Sequence, residues 1–262
     1  MTRLLSALVL APIALGAVYL GPPFFDFLVV VAALIMVWEW AHLCGGGAFG
    51  GRGVVLGAVL LAALVATGLG RWHVALGILA MGWVAVYLFA RREHKDGRHG
   101  WLAAGVFYVG LPCVAMIWLR ADPTDGCRTM FWLFAVVWAV DIGGYLFGST
   151  IGGAKLAPGI SPNKTWSGLI GGVAIAGVAG AATAALLDRE GIVFLGALSA
   201  GLGVVAQIGD LGESWLKRRF GVKDTGNLIP GHGGLLDRVD GLVAVLLVVG
   251  LIRLISGHGV LA

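Results

Sequence analysis

The chain has 262 residues, of which 59% are hydrophobic and only 12% charged, and its formal net charge is +4. A water-soluble domain of this length needs far more charge to cover its surface, so the composition excludes one and indicates lipid as the main solvent. The basic residues form short clusters without a recognition motif, which excludes nucleic acid as an expected partner. The three cysteines lack paired spacing and predict neither disulfides nor zinc.

Most of the chain consists of apolar runs separated by short polar segments. A helix needs about 20 apolar residues to cross a bilayer, and runs without period-two alternation favour helices over a barrel. Nine segments qualify: 4–20, 25–43, 53–70, 73–90, 101–119, 129–148, 166–187, 192–213 and 236–255. We therefore predict an all-α fold, a polytopic membrane bundle of about nine helices (range seven to nine) forming a single membrane domain over 1–262.

The basic residues predict the orientation of this bundle. With nine spans, 13 of the 18 Lys and Arg residues fall on the side of the N-terminus and five on the other side. The positive-inside rule then places the N-terminus in the cytoplasm and the C-terminus outside. The loops 149–165 and 214–238 fall on the cytoplasmic side. We expect residues 129–262 to carry catalysis and residues 1–128 to be mainly structural.

Two carboxylates interrupt the earlier apolar segments. Asp141 lies within the sixth span, where an ionisable group is a functional candidate by default. Glu39 lies between two tryptophans near the end of the second span. We favour a structural role for Glu39.

The loop 149–165 is the first polar segment with a candidate function. Ser161-Pro162 breaks any helix, and either Ser161 or Thr165 can cap the seventh span. The N-terminus of that helix would attract an anion, and Lys164 adds positive charge. These three residues are candidate substrate contacts, and an ordinary helix start is the alternative.

The eighth and ninth spans bring carboxylates to the same predicted depth. One helical stripe joins four polar residues at helical spacing: Asp210, Glu213, Ser214 and Lys217. Asp237 and Asp240 share a face at the start of the ninth span. A bare carboxylate in the bilayer costs about 2.5–3.5 kcal/mol on insertion scales, so two helix ends with carboxylates suggest a shared cation. The alternative is an acid–base pair of Asp210 or Asp237 with Arg218 or Arg238.

Residues 214–240, the cassette, connect these two helices. Basic groups and a histidine outnumber the acids near the glycines, so an anion is the missing partner. Gly233 and Gly234 allow backbone N–H groups to approach phosphate closely. Carboxylates for Mg²⁺, basic residues and a glycine-rich backbone together indicate phosphoryl or nucleotidyl transfer.

The cassette resembles the signature of phosphatidate cytidylyltransferases. That signature begins with S-x-hydrophobic-K-R and continues, after four residues, with K-D-x-small. After two further residues it ends with hydrophobic-P-x-H-G-G-hydrophobic-x-D-R-hydrophobic-D. Ser214 through Asp240 fits it throughout. The family is also similar in Gly209-Asp210-Leu-x-Glu213-Ser214, in Ser161-Pro-x-Lys164-Thr165 and in Asp141-x-x-x-Tyr145.

This resemblance implies that CTP and phosphatidic acid give CDP-diacylglycerol and pyrophosphate at the lipid bilayer, with Mg²⁺ as cofactor. Asp210 and Asp237 would hold the metal. The predicted catalytic residues are Lys217, Arg218, Lys223, Asp224, His232, Arg238 and Asp240. The predicted substrate-binding residues are Asp141, Ser161, Lys164, Thr165, Glu213, Ser214, Gly233 and Gly234. A second cation and a homodimer are compatible with this interpretation.

Two other functions fit part of the pattern. A relative that uses CTP on another lipid, such as a polyprenol kinase or an ether-lipid CDP synthase, would share the chemistry. A transporter would explain Asp141 and Glu39 inside spans, but it would not explain a glycine-rich basic loop at the membrane surface.

Overall fold

The computed structural model describes residues 2–45, 47, 49–93, 97–187, 191–226, 228, 233–259 and 261. Within these residues the helices are α1 (Thr2–Leu20), α2 (Phe24–Cys44), α3 (Gly50–Gly68), α4 (Trp72–Glu93), α5 (His99–Arg120), α6 (Gly126–Thr150), α7 (Trp166–Leu186), α8 (Ile192–Arg219) and α9 (Leu236–Ser256). Each predicted span corresponds to one of them. Helices α2 to α9 are long and apolar enough to cross a membrane, and Leu8–Leu20 of α1 is a shorter apolar helix. The predicted helical membrane fold is confirmed.

Large apolar side chains cover much of the helix surfaces. Met81, Leu186 and Val193 are 77%, 84% and 85% exposed. Water would penalise such surfaces, whereas a bilayer solvates them, and the helices satisfy their own backbone groups as lipid requires. The chain is an integral membrane protein.

The chain divides into two compact units. The first contains residues 1–129, 220–239 and 249–262, and the second contains residues 130–219 and 240–248. The first boundary lies next to the one expected after residue 128. Most of the connection between α8 and α9 groups with the N-terminal helices, so those helices support part of the cassette. The division of labour between the two halves stays a prediction.

Helices α2 to α5 pack against one another in the first unit. The indole of Trp40 in α2 stacks on Tyr108 and donates a hydrogen bond to the Trp101 carbonyl at 3.0 Å. A Cβ on Gly105 would overlap this indole, so glycine is required there for the close approach of α2 and α5.

Glycines bring α6, α7 and α8 together in the second unit. A Cβ on Gly168 would lie 2.8 Å from the Gly144 carbonyl oxygen, and one on Gly180 would meet Ser199. The buried Ser199 hydroxyl accepts a hydrogen bond from the Trp132 indole at 2.9 Å. Gly168 and Gly180 of α7 therefore allow close helix packing.

The two polar loops differ in detail from the prediction. Within residues 149–165, which were predicted as a loop, β1 (Lys155–Ala157) and β2 (Ser161–Thr165) form an antiparallel hairpin. Pro158-Gly159 makes the turn between the strands, as this dipeptide often does. Helix α8 extends to Arg219 because basic residues in its last turn complement the helix dipole, and Gly221 at φ +72° turns the chain away. The loop predicted over 214–238 is therefore shorter.

Asp122, in the connection between α5 and α6, provides a test of the first unit. Its Oδ1 accepts hydrogen bonds from the N–H groups of Asp125 and Thr124 at 3.0 and 2.9 Å, and its Oδ2 lies 3.0 Å from Arg253 Nη2. The N–H of Asp125 is the main cause that holds the pKa of Asp122 below its ordinary value. The N–H of Thr124 and the charge of Arg253 add to this effect, and burial opposes it.

Because the folded-state pKa is lowered, the ionised Asp122 stabilises the protein above its unfolded pKa, and this stabilisation is lost as the pH falls through the folded pKa. We expect Asp122→Asn to lose about 1–2 kcal/mol at pH 7 and a smaller amount at pH 3. Thermal melting in detergent micelles checks this expectation. Arg71→Gln, which changes an exposed side chain between α3 and α4, is the control and should have little effect. An equal loss at both pH values would contradict the account.

Candidate active site

The β-hairpin carries Lys164 to helix α8 within the second unit. The Lys164 ammonium donates to Gln207 Oε1 at 2.9 Å and lies 2.5 Å from Asp210 Oδ2. Arg218 donates from Nε to the Ile160 carbonyl in the hairpin turn at 3.4 Å. The two polar segments of the C-terminal half, which are far apart in the sequence, therefore meet.

The hairpin leads directly into α7. Thr165 is the N-cap of this helix, and its hydroxyl accepts from the Gly168 N–H at 3.1 Å. The predicted cap is thus Thr165, whereas Ser161 begins β2 and does not cap the helix. Because the Thr165 hydroxyl is occupied by the helix backbone, a substrate contact there stays a prediction.

The polar stripe predicted on the eighth span is present on α8. Ser214 Oγ donates to Asp210 Oδ1 at 3.4 Å, and Lys217 Nζ lies 3.1 Å from Glu213 Oε1. Glu213 is only 1% exposed, so Lys217 compensates a buried carboxylate. Asp210 pairs with Lys164, not with the arginines that the acid–base alternative had named.

A third carboxylate approaches Asp210 from the start of α9. Asp240 interacts electrostatically with Asp210 and Asp141 as like charges and with Lys217 as an opposite charge. Close helix packing allows this, because a Cβ on Gly209 would lie 2.7 Å from both the Asp240 carbonyl oxygen and the Ala244 methyl. The second unit therefore collects three aspartates from three helices.

A divalent cation in the second unit stays a prediction. Among the residues that the structure describes, no three His, Cys, Asp or Glu side chains are placed to hold a metal ion by themselves. Mg²⁺ does not need three, since it usually takes one or two carboxylates and completes its shell with water and phosphate oxygens. Asp210 and Asp240 offer two such groups whose mutual repulsion a cation would relieve.

Asp237 lies in the first unit and is buried. Its Oδ2 accepts three hydrogen bonds, from the Thr225 N–H at 2.9 Å, the Thr225 hydroxyl at 3.0 Å and the Gly234 N–H at 2.8 Å. Asp237 thus anchors the cassette, in addition to any role at a metal. Asp210 belongs to the other unit, so an ion shared by Asp210 and Asp237 stays a prediction.

The glycines of the cassette have local partners. The Gly234 N–H is used by Asp237, and Gly233 adopts φ +82° with its Cα facing the same carboxylate. Phosphate contacts by these two backbones therefore stay a prediction. The other predicted basic and acidic residues of this segment, Lys223, Asp224 and Arg238, have exposed side chains. His232 lies outside the described residues.

Three contributors were not predicted from the sequence. Glu39 of α2 accepts a hydrogen bond at the start of α9, and the Thr225 hydroxyl lies between Glu39 and Asp237. Gln207 accepts a hydrogen bond from Lys164, which also pairs with Asp210. Glu39 carried one signal, a carboxylate inside an apolar run, and the structural role expected for it stays a prediction. Its partners lie 196 and 197 positions away, and no local pattern reveals such a contact.

Membrane helices that present carboxylates and lysines at one site have the features of an enzyme that transfers a charged group at the lipid surface. A model described as the cytidylyltransferase family matches residues 1–255. The chain is 43% identical to a protein named phosphatidate cytidylyltransferase from Brucella suis, over 93% of this chain and 89% of that one. A protein of the same name from Pseudomonas aeruginosa is 34% identical over 98% of both chains. The chain belongs to the cytidylyltransferase family and is a nucleotidyltransferase of the membrane.

Proposed function

We propose that this protein is a phosphatidate cytidylyltransferase, which converts CTP and phosphatidic acid to CDP-diacylglycerol and pyrophosphate in phospholipid biosynthesis. The proposal rests on one observation: Lys164, Asp210 and Asp240 come together in a chain that belongs to the cytidylyltransferase family. These residues come from three segments that resemble the family, and their charges suit a nucleotide triphosphate.

The reaction needs little covalent help from the protein. An oxygen of the lipid phosphate attacks the α-phosphorus of CTP in line, a new P–O bond forms, and the bond to the β-phosphate oxygen breaks to release pyrophosphate. The second pKa of a phosphate monoester is about 6, so the nucleophile is already an anion at neutral pH. No strong base is required, and His232 is better suited to contact phosphate.

The basic residues neutralise the anions that must approach each other. Lys164 pairs with Asp210, Lys217 pairs with Glu213, and Arg218 donates to the hairpin turn at the Ile160 carbonyl. Lys223 and Arg238 are exposed and can reach a nucleotide in solution. Mg²⁺ held by Asp210, with Asp240 or Asp237 as its second ligand, would neutralise the triphosphate and the leaving pyrophosphate.

The proposed location follows from both substrates. Phosphatidic acid is a membrane lipid whose phosphate lies at the bilayer surface, and CTP is cytosolic. We infer a bacterial inner membrane, with the hairpin and the cassette facing the cytoplasm and the C-terminus outside. A homodimer and a second cation are further parts of this proposal.

The purified protein in phosphatidate micelles tests the function. We expect CTP-dependent release of pyrophosphate with Mg²⁺ and a loss of at least about 100-fold when Mg²⁺ is chelated. Lipid alcohols such as polyprenols should not replace phosphatidate. Turnover of the alcohol instead would identify a CTP-dependent lipid kinase, and ion flux into liposomes without CTP would favour a transporter.

A further inference from the structure

Glu39 is a carboxylate with 0% exposure in the membrane-spanning helix α2. An ionisable group at such a position is costly unless polar partners surround it. Oε1 accepts from the Leu235 N–H at 2.6 Å, and Oε2 accepts from the Leu236 N–H at 2.8 Å. The Thr225 hydroxyl lies 3.3 Å from Oε2. Glu39 therefore contacts both ends of the segment that connects Thr225 with α9.

Helix α9 starts without a cap from its own segment. Leu235 occupies the N-cap position and has no side-chain hydrogen bond to offer. The first N–H groups of a helix have no partner within the helix, and they carry the positive end of its dipole. Glu39 supplies both the acceptors and a negative charge, so a carboxylate from α2 takes the place of an N-cap residue.

The same network sets the orientation of Asp237. The Thr225 hydroxyl lies 3.0 Å from Asp237 Oδ2 and 3.3 Å from Glu39 Oε2. A hydroxyl has only one proton to donate, so the two carboxylates depend on the same group. A change at Glu39 is therefore transmitted to Asp237 through Thr225 and through the first turn of α9.

Two glycines of the cassette, Gly226 and Gly234, lie against the Glu39 carboxylate. A Cβ on Gly234 would overlap the Thr225 hydroxyl and lie 2.8 Å from Glu39 Oε1, and one on Gly226 would lie 3.5 Å from the same oxygen. The cassette backbone is thus packed directly onto the Glu39 carboxylate.

We propose that Glu39 is a positioning residue for cytidylyl transfer, which clamps the cassette and the start of α9 onto α2 and thereby orients Asp237. The inference rests on the proposed function for the reaction that is positioned. Glu39 touches no substrate in this account and acts only through Thr225, Leu235, Leu236 and Asp237.

Glu39→Gln tests the clamp, since glutamine keeps the shape but loses the charge and one acceptor. We expect kcat to fall about 10–100-fold, as for other groups that orient a site residue, with both KM values within about threefold. Hydrogen–deuterium exchange should accelerate in peptides that cover residues 225–236 and stay unchanged in α3 to α5. Thr67→Val is the matched control, because it removes a buried hydroxyl that donates within α3, to the Ala63 carbonyl.

Thr225→Val provides a second approach from the cassette side and should lower kcat in the same way. If both variants fold and retain kcat within about twofold of the parent, or if exchange at 225–236 does not change in Glu39→Gln, the clamp is refuted. Exchange is independent of catalysis, so it tests the clamp even if the parent protein makes no CDP-lipid. That last result would refute the proposed function alone.

Discussion

Asp210→Asn is expected to lower CDP-diacylglycerol formation by about 100-fold or more, because it removes the charge of the proposed Mg²⁺ ligand. Asp210 pairs with Lys164 and accepts a hydrogen bond from Ser214. It also interacts electrostatically with Asp240 as a like charge. The asparagine amide would keep the shape and lose the negative charge that pairs with Lys164 and would bind Mg²⁺. Initial rates of the purified variant at saturating CTP and ordinary Mg²⁺ provide the measurement.

Asp237→Asn should also be strongly impaired, but with an additional loss of thermal stability. Its Oδ2 holds three donors of the cassette, and weakening them should cost about 1–3 kcal/mol. Asp122→Asn, far from these groups in the sequence, serves as the acidic control and should retain activity. Near-normal turnover by Asp210→Asn or Asp237→Asn would remove that residue from the proposed metal site.

Gly209→Ala is expected to reduce both stability and activity, although it adds only one methyl group. The new Cβ would lie 2.7 Å from the Asp240 carbonyl oxygen and the Ala244 methyl, so α8 and α9 must move apart next to Asp210. Overpacking of this kind costs about 1–3 kcal/mol. A shift of about 1 Å at a reacting site can cost about 100-fold in rate. We therefore expect a loss of about 10–100-fold in rate.

Gly212→Ala is the matched control for this change. It lies one turn further along α8, and a Cβ there meets nothing within 4 Å. We expect its melting temperature and rate to match those of the parent protein. Equal effects of the two variants would show that helix propensity, not the contact between α8 and α9, determines the result.

The helices were predictable because their signal is local. An apolar run of about 20 residues must form a helix in lipid whatever its neighbours are, since its backbone groups have no other partners. The stripe on α8 was predictable for the same reason, because Asp210 and Ser214, or Glu213 and Lys217, are separated by one helical turn.

The hairpin and the long-range partners were not predictable by this reasoning. Residues 155–165 have no alternating pattern strong enough to indicate strands, and the pairing of Lys155 with Thr165 depends on the Pro158-Gly159 turn. Several basic residues could have paired with Asp210, and only the folded chain selects Lys164. The contact of Glu39 with α9 depends on the packing of the whole first unit.

The path of the label from CTP tests the central claim most directly. The protein is incubated with phosphatidate micelles and Mg²⁺, once with CTP labelled at the α-phosphorus and once with CTP labelled at the γ-phosphorus. Cytidylyl transfer predicts that the α-label enters the lipid and the γ-label leaves in pyrophosphate. Transfer of the γ-label to a lipid, with the α-label remaining in CDP, would contradict the account.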